Sequence, residues 1–412
     1  MTDSSIRVHR EPAPRALVVG LGISGTASAL ALHRAGWEPV IIERAPQRRR
    51  GGYFMAIFGA GRYAAQDLGV GDRLANHRSP EPTTYTIDRT GHRRPGLGFG
   101  DLPINPYLTM RDDVEEAIYD TLREQAPDVS IRFGTTPRAI SQDADGVDVT
   151  LTGPDGTTTE RFDLVVGADG IHSQVRRLVF APDSEAIDRM GTMICAFALT
   201  DDLPTLPQGM GARLLEPNRA FHVFPFDDRP STVLFSYGTD DVKAEKRVPV
   251  AARLREVYGH DAELGPVLEA AITQLEDGRP ALFDAVEQVH LPSWHRGRVV
   301  LVGDSAWCPS LYSGMGATSG LAGANLLGLR LAEHPGDVSA ALDGWERTLR
   351  PHIREYQKMG VDARSFFTPA TGQELRAGER RMRLQTAPIT SWVFARLLPL
   401  LPVMRKREVH LV

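Results

Sequence analysis

A short apolar run, Ala16-Leu-Val-Val19, leads directly into Gly20-Leu21-Gly22-Ile23-Ser24-Gly25, and a stretch rich in alanine and leucine follows. A strand buried on both faces reads as a continuous apolar run rather than as an alternation. Gly20 permits the tight turn out of that strand, Gly22 lets backbone approach a pyrophosphate, and Gly25 lets the next helix pack close to the sheet. The spacing predicts a helix from Ile23 to Ala35, with free N–H groups and the positive dipole end turned toward phosphates. Gly36 ends it. The second strand is Glu38-Pro-Val-Ile-Ile-Glu43, and Glu43 stands about 20 residues past the glycines, where an acidic residue binds a ribose hydroxyl. The glycines alone are also compatible with a tight turn that holds no ligand. Strand, turn, helix, strand and terminal acid together favour a dinucleotide site with Gly20, Gly22, Ser24, Gly25 and Glu43 as its residues. Ser24 sits in only a truncated Gly-x-Ser-x-Gly, so it is no nucleophile elbow.

Two further stretches repeat the pattern of an apolar strand ending in glycine. One is Asp163-Leu-Val-Val-Gly167-Ala-Asp169-Gly170-Ile-His-Ser173-Gln-Val-Arg176. The other is Val299-Val-Leu-Val-Gly303-Asp304-Ser-Ala-Trp307-Cys-Pro309, continuing through Gly314-Met315-Gly316. Asp favours turns for local hydrogen-bonding reasons. Yet Glu43, Asp169 and Asp304 each lie at or just past the end of an apolar strand, and ligands of open α/β sheets bind along that edge.

Between the second and third stretches the texture changes. Met193–Leu199, Arg219–Phe224 and Ser231–Tyr237 are β-rich runs joined by Pro and Asp turns, which suggests an antiparallel sheet outside the nucleotide domain. Val248–Leu275 reads as helical, as does most of Val338–Val412, while Arg44–Gly61 reads as a functional loop. The division that follows is a nucleotide domain in three parts (1–75, 101–180 and 285–345), with substrate-domain segments at 76–100 and 181–284 and a helical end at 346–412. The fold class is α/β: a Rossmann-like domain, an inserted antiparallel sheet and a C-terminal helical segment.

Composition narrows the function. With 412 residues, 42% hydrophobic and 24% charged, the chain has the profile of a soluble globular protein. A net charge of −5 gives no basic field for nucleic acid, and Arg48-Arg49-Arg50 is a local run. Cys195 and Cys308 are the only cysteines, which excludes a disulfide scaffold and suits the cytoplasm. Met1–Pro14 reads as a polar arm without a signal-peptide core. Ile389–Met404 is apolar but interrupted by Arg396, Pro399 and Pro402, so it reads as a packing helix or site cover, with contact to a membrane surface as the alternative. His290 and His295 lack the helix spacing of a metal pair, and Asp143, Asp145 and Asp148 fail the calcium-loop spacing, so no metal is expected. Ser313–Gly320 lacks the lysine of a P-loop.

In this order, the glycine turn with Glu43, the Gly-Ala-Asp-Gly-x-x-Ser-x-Val-Arg stretch and the Gly-Asp-Ser-Ala…Pro…Gly-x-Gly stretch resemble the single-component FAD-dependent aromatic hydroxylases. These are the class A flavoprotein monooxygenases, including the p-hydroxybenzoate hydroxylase and tetracycline-modifying types. The resemblance implies FAD as cofactor, NADPH or NADH as co-substrate, and O₂. It also implies a flavin C4a-hydroperoxide that hydroxylates an aromatic or polyketide-like small molecule in natural-product metabolism. By the same resemblance Gly20, Gly22 and Gly25 form the ADP-side turn, Glu43 meets the adenosine ribose, and Arg44 and Arg111 meet the adenosine or pyrophosphate side. Asp169 and Gly170 serve FAD and the nicotinamide cofactor, and Asp304 accepts a ribityl hydroxyl. Pro309, Gly314, Met315 and Gly316 border the flavin ring, as do Gly51 and Gly52. Two positions depart from the pattern: Trp307 stands where many members have His, and Ala317 and Thr318 where many have Asn. A base that deprotonates a phenol would help hydroxylation, and His222 is the candidate, a packed sheet histidine being the other reading. Arg213, Phe224, Phe235 and Tyr237 are candidates to line the substrate site or, equally, plain core. Epoxidation, Baeyer–Villiger oxidation and a non-catalytic FAD-binding protein stay open as alternatives. So does a dehydrogenase that uses only the first turn. No Trp-x-Trp-x-Ile-Pro stretch of a flavin halogenase is present.

Overall fold

The computed structural model describes residues 13–48, 51–79, 83–102, 104–206, 208–259, 264–276, 278, 280–386 and 406–411. All but the last two residues of the polar arm, Arg49 and Arg50, and the apolar run Ile389–Met404 lie outside the described residues.

In chain order, β1 (Arg15–Val19), α1 (Ile23–Arg34) and β2 (Glu38–Glu43) open the fold. Then come β3 (Phe54–Ile57), α2 (Gly59–Asp67), β4 (Thr83–Ile87), β5 (Arg93–Pro95), β6 (Tyr107–Met110) and α3 (Arg111–Gln125). They are followed by β7 (Ser130–Phe133), β8 (Thr136–Gln142), β9 (Val147–Gly153), β10 (Gly156–Phe162), β11 (Leu164–Gly167), α4 (Gln174–Val179) and α5 (Asp183–Ala186). The second sheet brings β12 (Ile187–Ala198), β13 (Met210–Glu216), β14 (Arg219–Phe224) and β15 (Thr232–Gly238). It continues through α6 (Val242–Glu245), α7 (Val250–Tyr258), α8 (Gly265–Glu276) and β16 (Leu282–Val289). The chain returns through β17 (His295–Arg296), β18 (Val299–Leu301), α9 (Asp304–Trp307) and α10 (Gly316–Glu333), then α11 (Val338–Phe367) and α12 (Gly372–Thr386).

The first sheet has the order β17-β18-β11-β1-β2-β7 and is parallel except for β17 at its edge. Its strands come from three separated stretches. The parallel order carries the ends of β1, β2, β11 and β18 to one edge, where Glu43 closes β2 and Gly20, Asp169 and Asp304 follow the others. Their apolar runs are buried throughout, as strands covered on both faces require. Helix α1 is buried on nearly every side between this sheet and α10.

The second sheet has the order β16-β12-β15-β14-β13-β4-β5. Strand alternation sorts its two faces. Ile194, Ala196, His222, Phe224 and Leu234 share one face by register, and Cys195, Phe197, Phe221, Phe235 and Tyr237 share the other. The second set packs against Leu254, Tyr258, Leu268 and Ile272 of α7 and α8 in a core of its own.

Three readings of the sequence need correction. Arg44–Gly61 is not all loop: Phe54-Met-Ala-Ile57 forms β3 against β6. Its apolar quartet is too short to stand out among the surrounding glycines and arginines. The helical stretch Val248–Leu275 is two helices, because Gly259 adopts φ +64° at the end of α7. The boundary at 284 falls inside β16, which runs on to Val289.

The tightest packing occurs where α1 leaves β1. A Cβ on Gly25 would stand 2.0 Å from the carbonyl oxygen of Gly20, with rigid backbone on both sides. Gly25→Ala must push α1 off the turn. The expected loss is at least about 3 kcal/mol, the upper range for overpacking, and equilibrium urea unfolding measures it.

Candidate cofactor and substrate site

Two cavities meet at the C-terminal edge of the parallel sheet. One, about 540 Å³, is lined by Gly20, Gly22, Glu43, Arg44, Arg48, Arg111, Asp169, Gly170 and His172, among others. The other, about 320 Å³, is lined by Gly22, Ser24, Tyr53, Arg111, Gly170, Asp304, Pro309, Gly314 and Gly316, and runs on to the second sheet. Gly22, Arg111, Ala168 and Gly170 belong to both, so the two cavities are adjacent compartments along one edge.

The turn is built by backbone. Gly20 holds φ +106°, and a Cβ there would meet the Ala168 carbonyl oxygen at 2.5 Å. Gly22 differs: its nearest would-be neighbour is the Glu115 carboxylate at 3.7 Å, so the fold does not require glycine there. It caps α1 without any side-chain hydrogen bond, which leaves the first N–H groups of this twelve-residue helix open toward the cavity. A space that only a Cβ would close, beside uncapped helix N–H groups, fits a pyrophosphate. Glu43 is aimed by two backbone donors: Leu21 N–H to Oε2 at 3.0 Å and Ala45 N–H to Oε1 at 2.8 Å. Arg111 opens α3 and pairs with Glu115 at 2.6 Å, while Arg44 is exposed at the mouth. Arg48 lies over the Tyr119 ring at 3.9 Å.

Asp169 turns inward. Its carboxylate accepts from Ser173 Oγ, from Gln174 N–H at 2.6 Å and from Val175 N–H at 3.2 Å. Burial raises its pKa by more than these hydrogen bonds lower it. The carboxylate braces its own loop, and Asp169 and Gly170 both line the cavity. Arg176 is fully buried and ties this loop to the third motif, donating to the Ser305 carbonyl at 3.0 Å and pairing with Asp183 at 2.6 Å.

Asp304 lies deep inside the protein yet is exposed, because the surface it presents belongs to the cavity. Burial raises its pKa against the opposing effects of Cys308 and Arg111. A carboxylate whose open surface lines a cavity is suited to accept hydroxyl groups. Ser24 packs its hydroxyl into the space left by Gly303 and Gly320, where a Cβ would come within 2.2 and 2.4 Å of its Oγ. Pro309, Gly314, Gly316 and Ala317 line the wall. The side chain of Met315 does not: it is fully buried in the main core. The N-terminus of α10 at Gly316 has no side-chain cap and brings positive dipole to this wall. Gly51 stands against Pro280 and Gly52 against Asp112.

The two departures have structural explanations. Trp307 points away from the cavity, donates to Ser319 Oγ at 3.2 Å, and lies 4.7 Å from Trp294 and 5.8 Å from Trp345 by ring centroids. Thr318 is buried and accepts the Phe58 N–H at 3.0 Å.

Of the substrate candidates, only Phe224 lines the cavity. It stacks on Phe54 at 4.4 Å, and Phe99 lies 5.3 Å from Phe54. Phe235 and Tyr237 face the other side of the sheet, Tyr237 donating to Glu245 at 2.9 Å. Arg213 and His222 form a cross-strand pair that holds the end of α11. Arg213 Nη2 donates to the Phe366 carbonyl at 3.2 Å, and His222 Nε2 bonds the Phe367 carbonyl at 3.1 Å. Neither lines the cavity, and burial together with the Arg213 charge pushes the His222 pKa down to about 3. The geometry therefore gives His222 no path to a substrate phenol: it is a neutral pin. Tyr53, Phe54, Phe99, Ile194, Leu234 and Phe367 also line the cavity and were not picked out from the sequence. Phe54 stands in an apolar quartet too short to mark it. Phe367, at the end of a 30-residue helix, carried no signal.

A family model described as FAD binding domain matches residues 14–356. A flavin-dependent monooxygenase of Legionella longbeachae is 28% identical over 358 residues, covering 84% of this chain and 87% of that protein. The crystal structure of tetracycline destructase Tet(51) superposes with a TM-score of 0.73 at 24% identity, covering 91% of this chain and 96% of that one. Klebsiella pneumoniae HpxO, complexed with FAD and uric acid, gives 0.74 at 20% identity, covering 95% and 98%.

Two outcomes follow from the site. Gly22→Ala should leave the apo-protein's melting temperature unchanged while weakening FAD binding at least tenfold, measured by flavin fluorescence titration. His222 is neutral when folded and has a pKa near 6.5 when unfolded, so the unfolded chain binds more protons between about pH 3 and 6.5. Stability is lost as pH falls through that window. His222→Gln should make the pH dependence of unfolding free energy there shallower by up to about 1.4 kcal/mol per pH unit.

Proposed function

Because this chain belongs to the FAD-binding-domain family, we propose that it is an FAD-dependent monooxygenase that uses NAD(P)H and O₂ to hydroxylate an aromatic or polyketide-like small molecule. One observation carries the reading: an aromatic-walled chamber on the second sheet opens onto the same cavity as Asp304, Pro309, Gly314 and Gly316. A dinucleotide site alone would need no such chamber. The relatives that bear monooxygenase names support the same reaction class.

FAD held along this edge would supply the redox chemistry, electron uptake from NAD(P)H and activation of O₂. This chain's residues do the rest. The open N–H groups at the start of α1 and the backbone of Gly22 hold the pyrophosphate. Glu43 accepts a ribose hydroxyl, and Asp304 accepts a hydroxyl of the chain that leads to the ring. Arg44 and Arg111 neutralise phosphate charge. Pro309, Gly314 and Gly316 bring backbone close to the ring, and the α10 N-terminus favours negative charge there. Phe54, Phe99, Phe224 and Phe367 exclude water and orient an aromatic ring. Tyr53, its phenol pushed up to about 12 by burial, and Cys308, raised by burial, both stay protonated, so neither is an ionised nucleophile at neutral pH. The chain then divides into a nucleotide unit built from three stretches and an inserted sheet unit, and it works in the cytoplasm, where its two buried cysteines stay reduced.

The test is a visible spectrum of the purified protein followed by anaerobic NADPH titration with and without candidate aromatics. Oxidised-flavin bands that bleach, faster by tenfold or more with a true substrate, are the expected outcome. A protein that binds no added FAD overturns the reading. Bound flavin that no NAD(P)H reduces, whatever aromatic is present, favours a non-catalytic binder.

A further inference from the structure

The last described residues fold back onto the outer side of the cofactor wall. Tyr356 of α11 donates its hydroxyl to the Lys406 carbonyl at 3.2 Å, and Lys406 pairs with Glu355 at 2.8 Å. Glu408 accepts the Gly59 N–H at 3.0 Å and pairs with Arg62 at 2.9 Å, so it caps the start of α2. His410 meets Asp67 at 3.2 Å, and Leu411 is buried. Between these anchors, Arg407 is directed inward. Its guanidinium lies 4.6 Å from the centre of the Phe58 ring and donates to the Ser313 carbonyl at 3.3 Å. Its Nε is enclosed and makes no hydrogen bond. Among the described residues no carboxylate lies within ion-pair distance of it.

Ser313 begins the turn whose other side is the cavity wall. Its hydroxyl donates to the Ser310 carbonyl at 2.9 Å and accepts the Met315 N–H at 3.0 Å. Gly314 follows with φ +67°, and a Cβ there would sit 3.6 Å from the Phe58 ring. The cation, the ring and the glycine turn are thus layered, and the inner layer lines the cavity. A largely buried charge with no paired anion among the described residues, behind one thickness of chain, acts strongly across that distance.

We propose that Arg407, delivered by the C-terminal segment 406–411, is a positioning residue of the cofactor site: it fixes the Ser313–Gly316 turn and places a cation behind it that favours the negative charge FAD gains on reduction. The inference rests on the FAD reading above. Burial lowers the Arg407 pKa to about 10, so the side chain is still charged at neutral pH.

The test uses the full-length holoenzyme and reads the flavin midpoint potential by spectroelectrochemistry, together with the FAD dissociation constant. Arg407→Met should shift the two-electron reduction equilibrium about tenfold toward oxidised flavin, a fall of about 30 mV. Arg407→Lys, which keeps the charge, should stay close to the native potential, and both variants should bind FAD at least threefold more weakly. An unchanged potential in Arg407→Met overturns the proposal, as does an equal fall in Arg407→Lys, which would mean that shape rather than charge matters. If Arg407→Met does not retain FAD, Glu408→Ala releases the segment's cap on α2 instead. A fall in its potential supports the proposal, and an unchanged one overturns it. Failure of the native protein to bind FAD would sink the FAD reading itself and is distinguishable from all of these.

Discussion

Backbone meets backbone, without room for a side chain, where the first strand of the parallel sheet turns into its helix. The rest of the nucleotide wall depends on that contact. Gly25 lies against the Gly20 carbonyl, and Gly20 against the Ala168 carbonyl. Gly303 and Gly320 leave the space that Ser24 fills. Three distant parts of the chain are thereby registered at one edge, and the acids that follow each strand are placed relative to one another. The buried Arg176 adds a polar tie between the loops of the second and third motifs. A fully buried guanidinium costs much to desolvate, so its hydrogen bonds to two carbonyls and to Asp183 are needed to offset that cost.

The same edge separates two kinds of acid. All three line the cavities, but Asp304 presents the most surface there, while Glu43 and Asp169 each accept backbone N–H groups of neighbouring turns. In sequence all three read alike, as an acid near the end of an apolar strand. Whether such an acid faces a ligand or caps a turn depends on the path of the next few residues. Ser173 and the start of α4 follow Asp169 closely enough to give it three donors.

The substrate side relies on the alternation of a twisted sheet and on a helix from the far end of the chain. Arg213 and His222 bind the last carbonyls of α11, where a helix carries its negative dipole end. Their work is to fix Phe367 over the chamber. His222 is neutral because it is buried beside a cation, and the same burial that makes it a good pin removes it from acid–base duty.

The local pattern by itself determined the parallel nucleotide core, the glycine turn, the acid closing β2 and the presence of a separate β-rich unit. Those features follow from short-range rules: continuous apolar runs for strands covered on both faces, and glycine where backbone must approach backbone. Only the tertiary structure decided which side of each second-sheet strand meets the cavity. A β-rich run shows that its residues alternate but not which face lies toward the nucleotide unit, so Phe224 and Phe235 looked equivalent. The tertiary structure likewise decided that Met315 and Trp307 turn into the core, that Phe54 lies on a strand, and that segment 406–411 backs the Ser313–Gly316 turn. Each is a contact between residues far apart along the chain, set by how the layers pack, and no local periodicity encodes it.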